Sequence, residues 1–224
     1  KGTSFKPIVR LNYLGGFSHP SYKIKLLTPE RYIQKVLDFR REAGLEVNLD
    51  NIADYLAPNE AENYRMGKTI DPWDFGTQNA GQQQVDVNVS GKSKNSNYYM
   101  SAAYTDEKGI ILNDNQNKLT FRVNLESEIT NWLSIGTQTI YARRDFSGAK
   151  ASLNAFYQTS PYGSLYNEDG TPREFVVDGE NVAGNALYYP YYNTVENIQN
   201  NLFANFYADI HFPFIKGLIY KFST

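Results

Sequence analysis

Apolar and polar residues alternate over three stretches of the chain. Val85, Val87 and Val89 fall on one side of an extended backbone, and Asp86, Asn88 and Ser90 fall on the other. Leu119, Phe121, Val123 and Leu125 repeat the pattern against Lys118, Thr120, Arg122 and Asn124. Leu202, Ala204, Phe206, Ala208 and Ile210 repeat it again, against Phe203, Asn205, Tyr207, Asp209 and His211. A period of two marks a strand with one apolar face. Weaker alternation over residues 7–16, 97–104, Leu133–Asp145 and 218–224 brings the expected number of strands to seven.

The segments between these strands run long, short, medium, short, long, short: residues 17–81, 91–96, 105–117, 126–132, 146–198 and 212–217. Such parity is the habit of an up-and-down membrane barrel, whose turns are short on one side and whose loops are long on the other. The first long segment predicts a helix from Thr28-Pro29-Glu30. Thr28 suits the N-cap and Pro29 the first helical position, Tyr32, Ile33, Val36, Leu37 and Phe39 form an apolar side, and Gly44 ends the helix. A second short helix is expected over 51–56 or 59–66, stopped by Gly67, and a third over 151–158. Residues 161–190 read as loop, punctuated by Asp169-Gly170, Asp178-Gly179 and Gly184.

Composition narrows the classes. The balance of 22 basic against 24 acidic residues, net −2 and without a basic cluster, gives no case for nucleic acid. The absence of Cys removes disulfides and thiolate chemistry, and His19 and His211 alone make no multi-histidine metal site. No apolar run reaches the roughly 18 residues of a transmembrane helix, and mean hydropathy is −0.53. Neither fact speaks against membrane strands, which alternate. Aromatic content is 15%, with 18 Tyr exceeding 13 Phe, which favours positions with one apolar and one wet side. Seven strands, the last running off the end of the chain, cannot close a bacterial barrel of eight or more. An open sheet with one oily face would expose a large patch. The expectation is an all-β, antiparallel up-and-down transmembrane β-barrel segment, part of a larger barrel, with short helices in long extracellular loops.

Several motifs in order carry a family resemblance. They are Asp71-Pro72-Trp73-Asp74; Gln82 to Gly91; Asn97-Tyr98-Tyr99-Met100-Ser101; Tyr104 to Ile110; Phe121-Arg122-Val123-Asn124-Leu125; and Trp132-Leu133-Ser134-Ile135-Gly136. Together they resemble the early barrel region of SusC/RagA-type TonB-dependent outer-membrane transporters. That region reads approximately D-W, a Q-x-hydrophobic strand ending S-G-G, N-Y-Y, G-Y-x-D-x-x-G-I, R-x-N and W-L-x-x-G. Lys92 departs from the usual second Gly, and Pro72 separates Asp71 from Trp73. Lys1-Gly2 is similar to the Lys-Lys-Gly that ends the family's plug. The resemblance implies a barrel of about 22 strands with a plugged lumen. Residues 1–224 would then be the N-terminal part of the barrel domain, beginning just after the plug, with plug and remaining strands outside this chain. It also implies uptake of glycans, oligosaccharides or peptides, a SusD-like surface lipoprotein as lid, and the TonB complex acting through the plug. No enzyme activity and no cofactor are implied.

Candidate chemistry is sparse. Glu168, Asp169, Asp178 and Glu180 are a possible carboxylate set, but turn-forming roles in a solvated loop fit them better. Asp209 and His211 share a strand face without making a metal site. Tyr188, Tyr189, Tyr191 and Tyr192 around Pro190, with Tyr162 and Tyr166 upstream, are candidate contacts for a ligand or for the lid, because a tyrosine ring is apolar while its hydroxyl hydrogen-bonds. Packing within the loop is the competing reading. Tyr98, Tyr99, Tyr104 and Trp132 sit near strand ends, where aromatic girdles belong. Asp86, Asn88, Arg122, Asn124, Asn205 and Asp209 are expected to face the lumen, with Arg122 able to pair with Asp86. Val85, Val87, Val89, Leu119, Phe121, Val123, Leu202, Phe206 and Ile210 are expected to face lipid. A surface or secreted glycan-binding β-sandwich is the alternative, and it needs a second sheet over the valines. No catalytic triad or nucleotide loop supports an enzyme.

Overall fold

A computed structural model describes residue 2, residues 4–182 and residues 184–224; Lys1, part of the plug-like opening, lies outside the described residues. Seven strands form a single antiparallel meander in chain order: β1 (Ile8–Ser18), β2 (Ala80–Lys92), β3 (Ser96–Lys108), β4 (Asn115–Glu128), β5 (Leu133–Asp145), β6 (Ile198–His211) and β7 (Ile219–Ser223). Five of them have 13 or 14 residues, more than the roughly 9–11 that a tilted membrane strand needs. Every strand pairs with its sequence neighbour. Among the described residues there is no second sheet, which overturns the β-sandwich alternative.

Register keeps the two faces apart across the sheet. Leu11, Val87, Ala102, Phe121, Tyr141 and Leu202 lie on one cross-strand row. Leu11, Val87, Phe121 and Leu202 are all exposed, and no other element covers them. All nine residues expected on the apolar side are on this face. The neighbouring row, Asn12, Asp86, Ala103, Thr120, Ala142 and Asn201, belongs to the other face. A slip of one residue in any strand would exchange its two faces, so the alternation and the register agree strand by strand.

The connections differ from expectation in one respect. β3 and β4 extend further than their alternating cores, leaving only residues 109–114 between them, no longer than the turn at 212–218. The alternation in length therefore rests on two segments, 19–79 and 146–197, which leave the same edge of the sheet.

Those two segments fold into a helical layer of their own. It contains α1 (Pro29–Glu42), a 3-10 turn (Ile52–Tyr55), α2 (Pro58–Met66), α3 (Pro72–Phe75), α4 (Leu153–Gln158) and the single turn α5 (Tyr188–Tyr192). The Thr28 side chain caps α1 by accepting from Arg31 N at 3.3 Å, and Gly67 ends α2 in the left-handed region at φ 65°. Both expected forms of the second helix exist, one after the other. Ile33 and Leu37 are buried on α1, but Phe39 is 67% exposed. Two residues on from Leu37 is about 200° around the helix, so Phe39 points away from the core that holds its neighbours.

Candidate functional site

The helical layer is stitched together from both long segments. Ile33, Leu37, Val47 and Ile52 from the first segment bury Tyr162 from the second, with Tyr32 and Tyr64 packed around its ring. Tyr162 is only 7% exposed. It is a core residue rather than a contact surface, packed with Val47 and Ile52 against the apolar side of α1.

A second core joins the D-P-W-D-F-G stretch to α4. The Asp71 side chain accepts from Trp73 N at 2.9 Å and so starts α3. This presents Trp73 and Phe75 to Phe156, whose centroid lies 5.4 Å from the Trp73 ring in an edge-on arrangement and 6.3 Å from Phe75. Phe156 is fully buried. A Cβ on Gly76 would sit 1.9 Å from Phe156 Cζ, so the ring occupies the space a side chain there would need. One of the six motifs that carry the family resemblance is thus a socket for the opposite loop.

Buried polar residues complete the seam. Asn63 Nδ2 donates to Tyr162 O at 2.8 Å, to Gly163 O at 3.2 Å and to Ser164 Oγ at 3.1 Å. Asn59 Nδ2 donates to Val176 O at 2.8 Å, and its Oδ1 accepts from Asp178 N at 3.0 Å. Glu60 accepts from Tyr32 OH at 2.7 Å and from Ala57 N at 3.2 Å. Burial, countered in part by a hydrogen bond to Ser160 and reinforced by the Glu60 carboxylate, pushes the Tyr32 hydroxyl well above the usual tyrosine range.

The loop carboxylates serve the loop. Asp169 accepts from Thr171 Oγ1 at 2.6 Å and from its N at 2.9 Å, which holds its carboxyl below the usual range. Asp178 is paired with Arg173 and accepts from Asn59 N. Glu180 accepts from Asn181 N and Val182 N, both at 3.0 Å. Each caps a turn or ties the two segments together. Among the described residues no group of three His, Asp or Glu side chains could hold a metal.

The remaining tyrosines reach the surface. The Tyr188 and Tyr192 ring centroids are 4.6 Å apart, and those of Tyr191 and Tyr192 are 4.8 Å apart. Tyr189, Tyr191, Tyr192 and Tyr166 are exposed, and Tyr188 is half-buried. The helical turn around Pro190, expected as loop, groups Tyr188, Tyr191 and Tyr192 into one cluster.

On the sheet, Asp86, Asn88, Arg122, Asn124, Asn205 and Asp209 share the polar face, as the alternation requires. The Asp86–Arg122 pair does not form. Register sets Asp86 between Asn12 and Ala103, and Arg122 between Ser101 and Ile140, two strands away. Asp86 accepts instead from Asn12 Nδ2 at 2.8 Å. Asp209 pairs with Lys221 at 3.2 Å rather than with His211. A clasp that the alternation did not reveal lies on this face. Tyr207 crosses Gly136, where a Cβ would meet its ring at 2.3 Å, and donates to Glu126 Oε2 at 2.7 Å. Asn97 Nδ2 reaches Glu126 Oε1 at 3.3 Å, so strands β3 to β6 are tied in one line. Tyr99 also lies on this face, in register with Ser90 and Asn124, which removes it from the outward girdle. Tyr98 and Tyr104 stay on the apolar side.

A single curtain of strands with one bare apolar face and one polar face has the alternation that membrane β-barrel strands share. No protein-family model matches the sequence. TonB-dependent receptor P3 of Formosa agariphila is 26% identical over 237 aligned positions, taking in 99% of this chain and 21% of that protein. TonB-dependent receptor P26 of the same organism is 30% identical over 129 positions, covering 56% of this chain and 13% of that protein. The structure of the RagAB peptide transporter superposes with a TM-score of 0.68 at 19% identity, over 98% of this chain and 28% of that one. The RagAB peptide importer in its open-open state gives 0.69 at 22% identity, over 99% and 27%. The chain is thus similar in sequence to TonB-dependent receptors over nearly its whole length, and its fold matches that of a segment of the RagAB transporter structures. It spans about a fifth of the first of these relatives.

Proposed function

We propose that the chain forms the first seven strands of the wall of an importer of about 22 strands with a plugged lumen. In this reading it takes up oligosaccharides or peptides, works with a SusD-like surface lipoprotein, and is driven by the TonB complex through the plug. The observation that carries it is the division of the seven-strand meander, held in register across all strands, into an uncovered mainly apolar face and a mainly polar face. The apolar face meets lipid and the polar face the lumen. The helical layer stands outside the cell, where ligand and lid are, and the turns at 93–95, 129–132 and 212–218 face the periplasm. Asp169 and Glu180 are spent on turns of the loop and Asp178 on joining the two segments, so transport rather than catalysis fits it.

Sidedness is tested by labelling intact cells with a membrane-impermeant maleimide. Asp169→Cys is expected to react and Lys94→Cys to be spared; the reverse pattern would invert the topology. The exposed rings of Tyr189, Tyr191, Tyr192 and Tyr166, with the half-buried Tyr188, serve ligand capture or lid docking. Tyrosine offers a large rigid face at low entropic cost together with a hydrogen bond. Replacing Tyr188, Tyr189, Tyr191 and Tyr192 together by Ala should leave assembly intact while uptake, or co-purification of the lid, falls. Unchanged growth on the native nutrient together with unchanged lid recovery would reduce the cluster to loop packing.

A further inference from the structure

The polar face carries a charge arrangement that the wall does not need. Lys118 on β4 and Arg144 on β5 are direct cross-strand partners on that face, which puts their Cβ atoms about 5 Å apart. Like charges placed so are destabilising, and both side chains are half-buried. Arg122 follows on the same face of β4, about 13 Å further along the strand. Among the described residues no carboxylate lies within ion-pair distance of Lys118, Arg122 or Arg144. The acids nearest in register are engaged elsewhere: Glu107 accepts from Gln82 Nε2 at 2.9 Å, and Asp86 is held by Asn12. The contrast with Arg143 is direct. It points to the other face and has Asp145 at 3.2 Å.

Between the Lys118–Arg144 row and the Arg122 row lies a row of short side chains, Ala103, Thr120 and Ala142, with Ala142 only 8% exposed. Three cations therefore border a shallow floor. Amides and a hydroxyl flank it: Gln84, Thr105 and Gln199 beside the first row, and Asn201 beside the floor.

We propose that Lys118, Arg144 and Arg122 form an anion-binding site for carboxylate or sulfate groups of an acidic oligosaccharide. This rests on the importer reading and adds the charge of the cargo to it. The guanidinium and ammonium groups supply charge-assisted hydrogen bonds to the acidic group. The flanking amides and hydroxyl both donate and accept, which matches sugar hydroxyls. The ligand's charge also offsets the Lys118–Arg144 repulsion.

The test uses the full-length protein in detergent and in intact cells. Binding is measured by calorimetry for a uronate oligosaccharide, a sulfated oligosaccharide, a neutral oligosaccharide of equal length and an oligoglutamate peptide. The acidic sugars should bind more tightly than the neutral one, and added salt should weaken their binding. Lys118→Gln and Arg144→Gln should each weaken acidic-sugar binding about tenfold, the loss of one charge-assisted contact. They should leave the neutral sugar unchanged, and Lys118→Arg should retain affinity. Both Gln variants relieve the repulsion, so they should unfold at or above the parent temperature and remain interpretable. Equal binding of acidic and neutral sugars, or unchanged acidic-sugar binding in both Gln variants, would overturn the site. Binding of oligoglutamate with neglect of the acidic sugars would overturn the ligand class. Fluorescent versions of the four probes separate the two levels of the argument. Entry without charge preference refutes the anion site alone, whereas entry of none refutes the importer reading and the site with it.

Discussion

Phe156→Ala should uncouple the two long loops while leaving the sheet intact. The ring is fully buried against Trp73 and Phe75, and truncating a buried Phe costs about 3–5 kcal/mol. The cost falls on a local unit, because the socket belongs to the loop layer and to none of the strands. Four backbone bonds report on it: Ile70 N to Pro161 O at 2.9 Å, Leu112 N to Gly76 O at 3.0 Å, Ala151 N to Leu112 O at 3.1 Å and Gln78 N to Ile110 O at 2.8 Å. If these amides exchange through local opening of the layer, their exchange should accelerate by about two to three and a half powers of ten, since each 1.4 kcal/mol is tenfold. Hydrogen exchange read by mass spectrometry on the full-length protein resolves this. Peptides covering Val85–Ser90 and Leu119–Leu125 should keep their parent protection. A cycle with Gly76→Ala sharpens the result, because the three atoms its Cβ would approach most closely all belong to the Phe156 ring. Gly76→Ala should be strongly destabilising in the parent and nearly neutral once Phe156 is Ala. Unchanged protection at Leu112 and Ala151 in Phe156→Ala, or additive effects of the two substitutions, would refute the socket as what joins the loops.

Two further expectations follow from the same geometry. Phe121→Lys places a charge midway along the apolar face and should cost about 2–4 kcal/mol of barrel stability in lipid; Asn88→Lys, on the polar face, should cost far less, and denaturant unfolding in vesicles compares them. Tyr32 has its folded pKa raised by burial, so its contribution to the loop layer is fully present below about pH 10, the unfolded value, and is lost as pH rises above it, when the unfolded chain releases the proton and the folded one retains it. Protection of the α1 amides should therefore decline above pH 10 in the parent. The same decline in Tyr32→Phe would assign it to another group.

The alternation of Val85 to Ser90, Leu119 to Leu125 and Leu202 to Ile210 was sufficient to place strands and to sort their residues onto two faces, because side-chain direction in a strand depends only on position parity. The helix at Thr28-Pro29 and its stop at Gly44 were equally local, since caps act within one turn. Partners across strands were not legible. Asp86 and Arg122 have opposite charge and the same parity, yet register sets them two strands apart and hands Asp86 to Asn12. Tyr162 looked like its loop neighbours and became a core residue, because burial depends on which helix side faces the loop from more than a hundred residues away. The socket for Phe156, the Tyr207 clasp over Gly136 and the cations at Lys118 and Arg144 are of the same kind. Chemistry carried by single residues and local periodicity is written along the chain, whereas pairing between distant segments exists only once the chain has closed upon itself.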